Sequence, residues 1–154
     1  MDKNLAQFAP GIDFPCWSTS DALLGLNRLV HPVNLDAGFR YRMKLPVAGN
    51  AIVDIAKLRH YCLDPHHPRG RHKARVFAAT LGLTQANAEI LRAALLAAAR
   101  EADAVPGNSD DYGDRYTVDF QLEYGGRIAR IRSAWIVFHR ESSPRLTSCF
   151  VLLD

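Results

Sequence analysis

The apolar positions keep a helical spacing through the middle of the chain and switch to strict alternation near residue 116. Ile52, Ile55, Leu58 and Cys62 recur at spacings of three and four, so a helix is expected that Asn50 can cap and Asp64-Pro65 ends. His66-His67-Pro68-Arg69-Gly70 reads as a loop from its prolines and glycine. A second helix is expected over Arg71 to Leu81, with Ala74, Phe77 and Leu81 on one face and Gly82 as its C-terminal cap. A third opens at Thr84 and runs to about Ala102, its apolar stripe formed by Ile90, Leu91, Ala94, Leu95 and Ala98.

Beyond an acidic stretch read as a loop, Asp103 to Gly113, the period is two. Tyr116, Val118, Phe120, Leu122 and Tyr124 share one side of a strand, and Gly125-Gly126 supplies a hairpin turn into a second strand, Arg127 to His139. A loop over Arg140 to Pro144 leads to a last strand, Arg145 to Leu153. There Leu146, Ser148, Phe150 and Leu152 alternate with Arg145, Thr147, Cys149 and Val151. The fold class expected is therefore α+β, helices followed by an antiparallel β-meander of three to four strands, with the helices covering one sheet face. This domain spans 46–154. Residues 1–45, with three prolines and three glycines and helical promise only over Ser20 to Val30, read as an N-terminal extension, partly helical or loosely ordered.

A hydrophobic share of 48% in 154 residues is enough to build a core without staples. Cys16, Cys62 and Cys149 are odd in number and irregularly spaced, which suggests neither a disulfide framework nor a paired-cysteine zinc site. The N-terminus lacks a charged start followed by an apolar run. No stretch approaches the roughly 18 apolar residues that cross a bilayer. The expected setting is soluble and cytoplasmic, with no membrane partner.

Charge distribution says more than the net +3. Arg59 to Arg75 holds five Lys/Arg and four histidines against one acid, Asp64, and Arg127 to Arg145 holds five arginines against one acid, Glu141. Acids gather elsewhere, at Glu101, Asp103, Asp110, Asp111 and Asp114. Such segregation makes a local field that attracts phosphate. In the first segment a loop runs into a helix start, where backbone N–H groups beside Arg71, His72, Lys73 and Arg75 suit an anion. His67 or His72 could transfer protons near neutral pH; the alternative is that His66 and His67 simply sit in an exposed loop and cap a helix. The histidine spacing matches no strong metal motif and the nearby cations oppose a divalent ion, so neither metal nor cofactor is expected. In the second segment Arg130, Arg132, Ser133, Trp135, Arg145 and Thr147 lie on strands expected to pair. By parity Ser133, Trp135, Arg145 and Thr147 are candidates for one shared face, unless register shifts them. Trp135 could stack a base or be core.

Several short motifs occur in a fixed order: Asn50-Ala51-Ile52, Lys57-Leu58, His67-Pro68-Arg69-Gly70, Lys73-Ala74-Arg75-Val76-Phe77, Leu81-Gly82-Leu83, Leu91, Tyr112-Gly113, Tyr116-Thr117-Val118, Gly126-Arg127, Arg132-Ser133-Ala134-Trp135-Ile136 and Pro144-Arg145-Leu146-Thr147. In this order, from about Leu45 to Leu152, the chain resembles an uncharacterised bacterial domain family. Domains of that appearance occur alone or as C-terminal effector modules of polymorphic toxins, which look like the barnase, EndoU and RelE-like class of RNases. The resemblance implies helices before an antiparallel sheet and RNA cleavage without a metal. Its matching polar positions are His67, Lys73, Arg132, Ser133, Arg145 and Thr147. Ser133 stands where a threonine is more usual, and His72 beside the lysine is an addition.

The expected function is a metal-independent endoribonuclease toxin that cleaves tRNA or another structured RNA by 2′-hydroxyl attack. His67 or His72 would move protons, Lys73, Arg132 and Arg145 would stabilise charge on phosphorus, and Ser133 and Thr147 would position the substrate. Arg71, Arg75, Arg130 and Trp135 would complete the RNA contact. A cognate acidic immunity or antitoxin protein would cover the basic face. The rival expectations are a non-catalytic module that binds nucleic acid or protein through that face, and an inactive relative kept for interaction alone.

Overall fold

A computed structural model describes Val30–Pro32 and residues 42–153. The N-terminal helical expectation at Ser20 to Val30 falls outside these residues except for Val30, which lies in a strand. The elements in chain order are β1 (Val30–Pro32), β2 (Met43–Lys44), α1 (Ile55–Lys57, running on as a π-helical turn Leu58–Cys62), α2 (Arg71–Leu81), α3 (Ala88–Glu101), β3 (Asp103–Ser109), β4 (Gly113–Tyr124), β5 (Arg127–Phe138) and β6 (Pro144–Leu152). One six-stranded sheet among the described residues has the path β2-β3-β4-β5-β6, with β1 paired to β4 beyond the start of β3, and every named pair is antiparallel. The α+β class stands, but the described residues hold six strands in place of the three or four expected, and two of them precede the helices.

The differences have local causes. Asp54 caps α1, its carboxylate accepting from the Ala56 N–H at 2.9 Å. Asn50 lies instead in a 3-10 turn, Ala48–Asn50. Ile52 stays out of the helix because its backbone pairs with β6, donating to the Pro144 carbonyl and accepting from the Leu146 N–H. The acidic stretch expected as a loop is mostly strand. Asp103–Ser109 pairs with β4 despite Pro106 and Gly107, helped by a register shift between Pro106 and Ser109. Only Ala104 in it is buried, so it lacks the alternation of a half-buried strand and follows its partner's pairing rather than its own propensity.

Other turns follow their sequence signals. Gly82 ends α2 in the left-handed region (φ 72), and Thr84 and Asn87 form a capping box ahead of α3. Gly125 and Gly126 carry φ of 59 and 74, the pair of positive values a two-residue type I′ hairpin requires.

Three helices cover one sheet face. Phe77 and Leu81 of α2 and Leu91, Ala94, Leu95 and Ala98 of α3 meet Val118, Phe120, Leu122, Ile131, Trp135, Cys149 and Val151 in a single core. Burying each of the larger side chains is worth about 1.5–3 kcal/mol. On β6 the strict alternation breaks. Ala134 pairs with Ser148 but Trp135 pairs with Leu146, so Thr147 is the extra residue of a bulge. Leu146 thereby joins Cys149 and Val151 in the core, where alternation alone would have set it with Phe150 and Leu152.

Candidate functional site

Lys73 sits on α2 beside the buried stripe of Ala74, Phe77 and Leu81, a position that points it towards the sheet edge. Its ammonium donates to Ser148 Oγ on β6 at 2.6 Å and lies 3.4 Å from the Tyr61 hydroxyl. It is 4.9 Å from the Tyr61 ring centre and 6.0 Å from that of Phe150. Phe150 and Arg132 are register partners on β6 and β5 and share the sheet face away from the helices. Phe150 is therefore common to the two basic segments: the Lys73 ammonium lies near its ring and Arg132 is its register partner, while the guanidinium itself turns to β4.

Arg132 is held by Asp119, its register partner on β4. Nε donates to Oδ1 at 2.7 Å and Nη2 to Oδ2 at 2.6 Å. The carboxylate side chain is only 14% exposed, so this bidentate pair is screened less than a surface bridge. The Asp119 hydrogen bond holds the guanidinium above its ordinary pKa.

His67 is a structural cap. Its Nδ1 accepts from the backbone N–H of Gly70 (3.0 Å) and of Arg69 (3.1 Å), which leaves the ring proton on Nε2. The ring meets Tyr61 edge-on at 5.0 Å. Gly70 is required for closeness, since a Cβ there would fall 1.8 Å from the Tyr61 carbonyl oxygen. The His67-Pro68-Arg69-Gly70 turn thus locks the start of α2 onto α1 and so aims Lys73. His72 is exposed, as are Arg71 and Arg75.

The second constellation is not one surface. Ser133 is fully buried and Trp135 is 1% exposed. Ser133 Oγ donates to the Val118 carbonyl and accepts from Trp135 Nε1, both at 2.9 Å. These two residues belong to the core, because their strand positions face the helices, and they do not offer a hydroxyl or a ring to a ligand. Thr147 Oγ1 donates to the Ala134 carbonyl at 2.9 Å and closes the bulge. Arg145 is paired to Glu141 (2.9 Å), and its register partner is Ile136, four residues along β5 from Arg132, or ~13 Å. It stands apart from the Lys73 cluster. Arg130 is half-buried, with Gln121 and Leu152 as register partners.

Tyr61, Asp119 and Phe150 are not among the residues that the sequence singles out. For Asp119 a signal exists: a two-residue turn at Gly125-Gly126 pairs Tyr124 with Arg127, and counting outward pairs Asp119 with Arg132. Ser148 and Phe150 depend on the bulge and carry no such signal. Beneath the cluster, Cys62 and Cys149 are both buried and free. The hydrogen bond from Cys149 holds the Cys62 thiol down to about 7, with the Lys73 and Lys57 charges adding to it against burial. The same bond and burial push Cys149 up.

Residues 44–153 match the family model described as Domain of unknown function (DUF6883), and the chain belongs to that family. An uncharacterised domain family is what the ordered motifs implied. No curated protein and no solved structure matches the chain. Among the described residues no helix is long and apolar enough to cross a membrane.

Proposed function

We propose that this family member is a metal-independent endoribonuclease of the toxin type, acting on tRNA or another structured RNA, with a fold of the barnase, EndoU and RelE-like class. One observation carries the reading. Lys73 and Arg132, two of the three cations expected to stabilise charge on phosphorus, share one neighbour, Phe150, though 59 positions separate them in sequence: the ammonium lies 6.0 Å from its ring centre and Arg132 is its register partner. In the reaction the 2′-oxygen loses its proton and bonds to the adjacent phosphorus, the bond from phosphorus to the 5′-oxygen breaks, and that oxygen takes up a proton. Lys73 and Arg132 stabilise the charge that develops on the non-bridging oxygens. Asp119 ties Nε and Nη2 of Arg132 and so orients the guanidinium beforehand, which lowers the entropy cost of binding. With His67 Nδ1 committed to the helix start, proton transfer passes to the Tyr61 hydroxyl beside Lys73 or to the exposed His72. A cognate immunity or antitoxin protein with an acidic face would cover these cations.

Expression of the chain in cells without a protective partner, with growth and tRNA integrity followed together, tests this reading. Arrested growth with cut tRNA, abolished by Lys73→Ala or Arg132→Ala in variants that stay folded, is expected. Normal growth and intact RNA would overturn it. The second reading, a non-catalytic module that binds nucleic acid or protein, is favoured by the carboxylates already on Arg132 and Arg145 and by the structural use of His67. Its signature is RNA bound but uncut.

A further inference from the structure

Phe150 is a half-buried aromatic near the Lys73 ammonium and in register with Arg132, and it is absent from the side chains that pack on the hydrophobic core. Tyr61, on the other side of Lys73, does pack on that core. The Phe150 ring lies on the sheet face turned away from the helices, with Arg132 directly across on β5 and the Lys73 ammonium 6.0 Å from its centre. Among the described residues, packing on the hydrophobic core does not account for a large apolar ring at this position.

An aromatic ring beside cations placed to take phosphate is the arrangement that recognises a nucleotide from a single strand. The ring offers a face to a base, and the cations take the phosphates on either side of it. In a duplex both faces of each base are already stacked on neighbours, so such a ring finds nothing to receive. We propose that Phe150 is a stacking platform for one unpaired base, and that the site takes single-stranded or looped RNA in preference to duplex. This deepens the ribonuclease reading and rests on it. Lys73 and Arg132 touch the phosphates, whereas Phe150 is a positioning residue that sets which nucleotide is held there.

The test uses the full chain and a short fluorescently labelled 2′-O-methyl oligonucleotide, which cannot supply the attacking 2′-hydroxyl and so stays intact while it binds. Anisotropy titrations compare the single strand with the same strand annealed to its complement. The wild-type protein is expected to favour the single strand. Phe150→Ala, shown folded by circular dichroism, should weaken strand binding roughly 5- to 150-fold, the range that loss of one stacked base implies. Phe150→Trp should restore binding, and the added indole emission, measured as the difference from wild type, should be quenched by the strand. Equal binding by Phe150→Ala, an unquenched Phe150→Trp or equal affinity for duplex would each overturn the platform. If the unmodified RNA strand, assayed beside the 2′-O-methyl one, is still cut in that case, the ribonuclease reading survives without the platform. If the wild-type protein binds neither strand nor duplex, both fall together.

Discussion

Replacing Ser133 with alanine separates a structural hydroxyl from a ligand-binding one. Ser133 Oγ receives the Trp135 indole N–H and donates to the Val118 carbonyl, each at 2.9 Å, in a site with no solvent exposure. The substitution leaves the indole N–H buried without a partner, which costs about 1–3 kcal/mol, and removes a further bond worth about 1 kcal/mol net. The cavity left is smaller than a methyl group and adds little. The expected loss is about 3 kcal/mol, seen as a lower urea midpoint with an unchanged slope. In a Trp135→Phe background the indole N–H is already gone, so the same change should cost only about 1 kcal/mol, a coupling of about 2 kcal/mol between the two positions. RNA binding or cleavage, measured where both proteins are folded, should be unaltered because the hydroxyl never reaches the surface. A loss under about 0.5 kcal/mol, or the same loss in both backgrounds, would refute the hydrogen-bond account. Selective loss of RNA binding in a stable protein would return Ser133 to the binding face.

Three further outcomes follow from the geometry. His67→Ala should lose about 1 kcal/mol in urea unfolding, while His67→Asp, which can also accept from the Gly70 N–H, should recover most of it and retain any activity; an inactive but stable His67→Asp would point to proton transfer instead. Gly70→Ala should destabilise by more than about 2 kcal/mol or prevent folding, because the added carbon collides with the Tyr61 backbone and not with a movable side chain. Wild-type unfolding by that measure would disprove the contact. The Asp110 carboxyl is held below its ordinary value of 3.8 by the Arg115 side chain, then by the Tyr112 and Gly113 N–H groups. A depressed folded-state value means this group stabilises the fold above about pH 4, with the contribution lost as pH falls through the lower folded value. Asp110→Asn should therefore flatten the acid limb of the stability profile, and an unchanged limb would contradict the sign.

By itself the period of the apolar residues determines three helical stretches and the long β4-β5 hairpin, since burial of one face demands a spacing of 3.6 or 2 and the Gly125-Gly126 pair demands a tight turn. The distribution of charge along the same chain marks two basic segments, the ordered motifs narrow their cations to Lys73, Arg132 and Arg145, and counting from the glycine turn reaches the Asp119 partner of Arg132. β3 is not legible, because a strand with one buried residue, a proline and a glycine, bordered on its outer side by the two-residue β2, takes its form from the long strand it pairs with. Nor is the β6 bulge: one extra residue, Thr147, decides which side chains enter the core, and nothing local to that residue announces it. The roles at the site divide in the same way. Residue types mark His67, Ser133 and Trp135 as chemically able, but side-chain packing alone assigns them to a helix cap and to the core. Tertiary structure likewise brings Lys73 to Ser148 and Phe150, since contact between a helix and a bulged edge strand depends on how the layers are stacked and not on any local pattern.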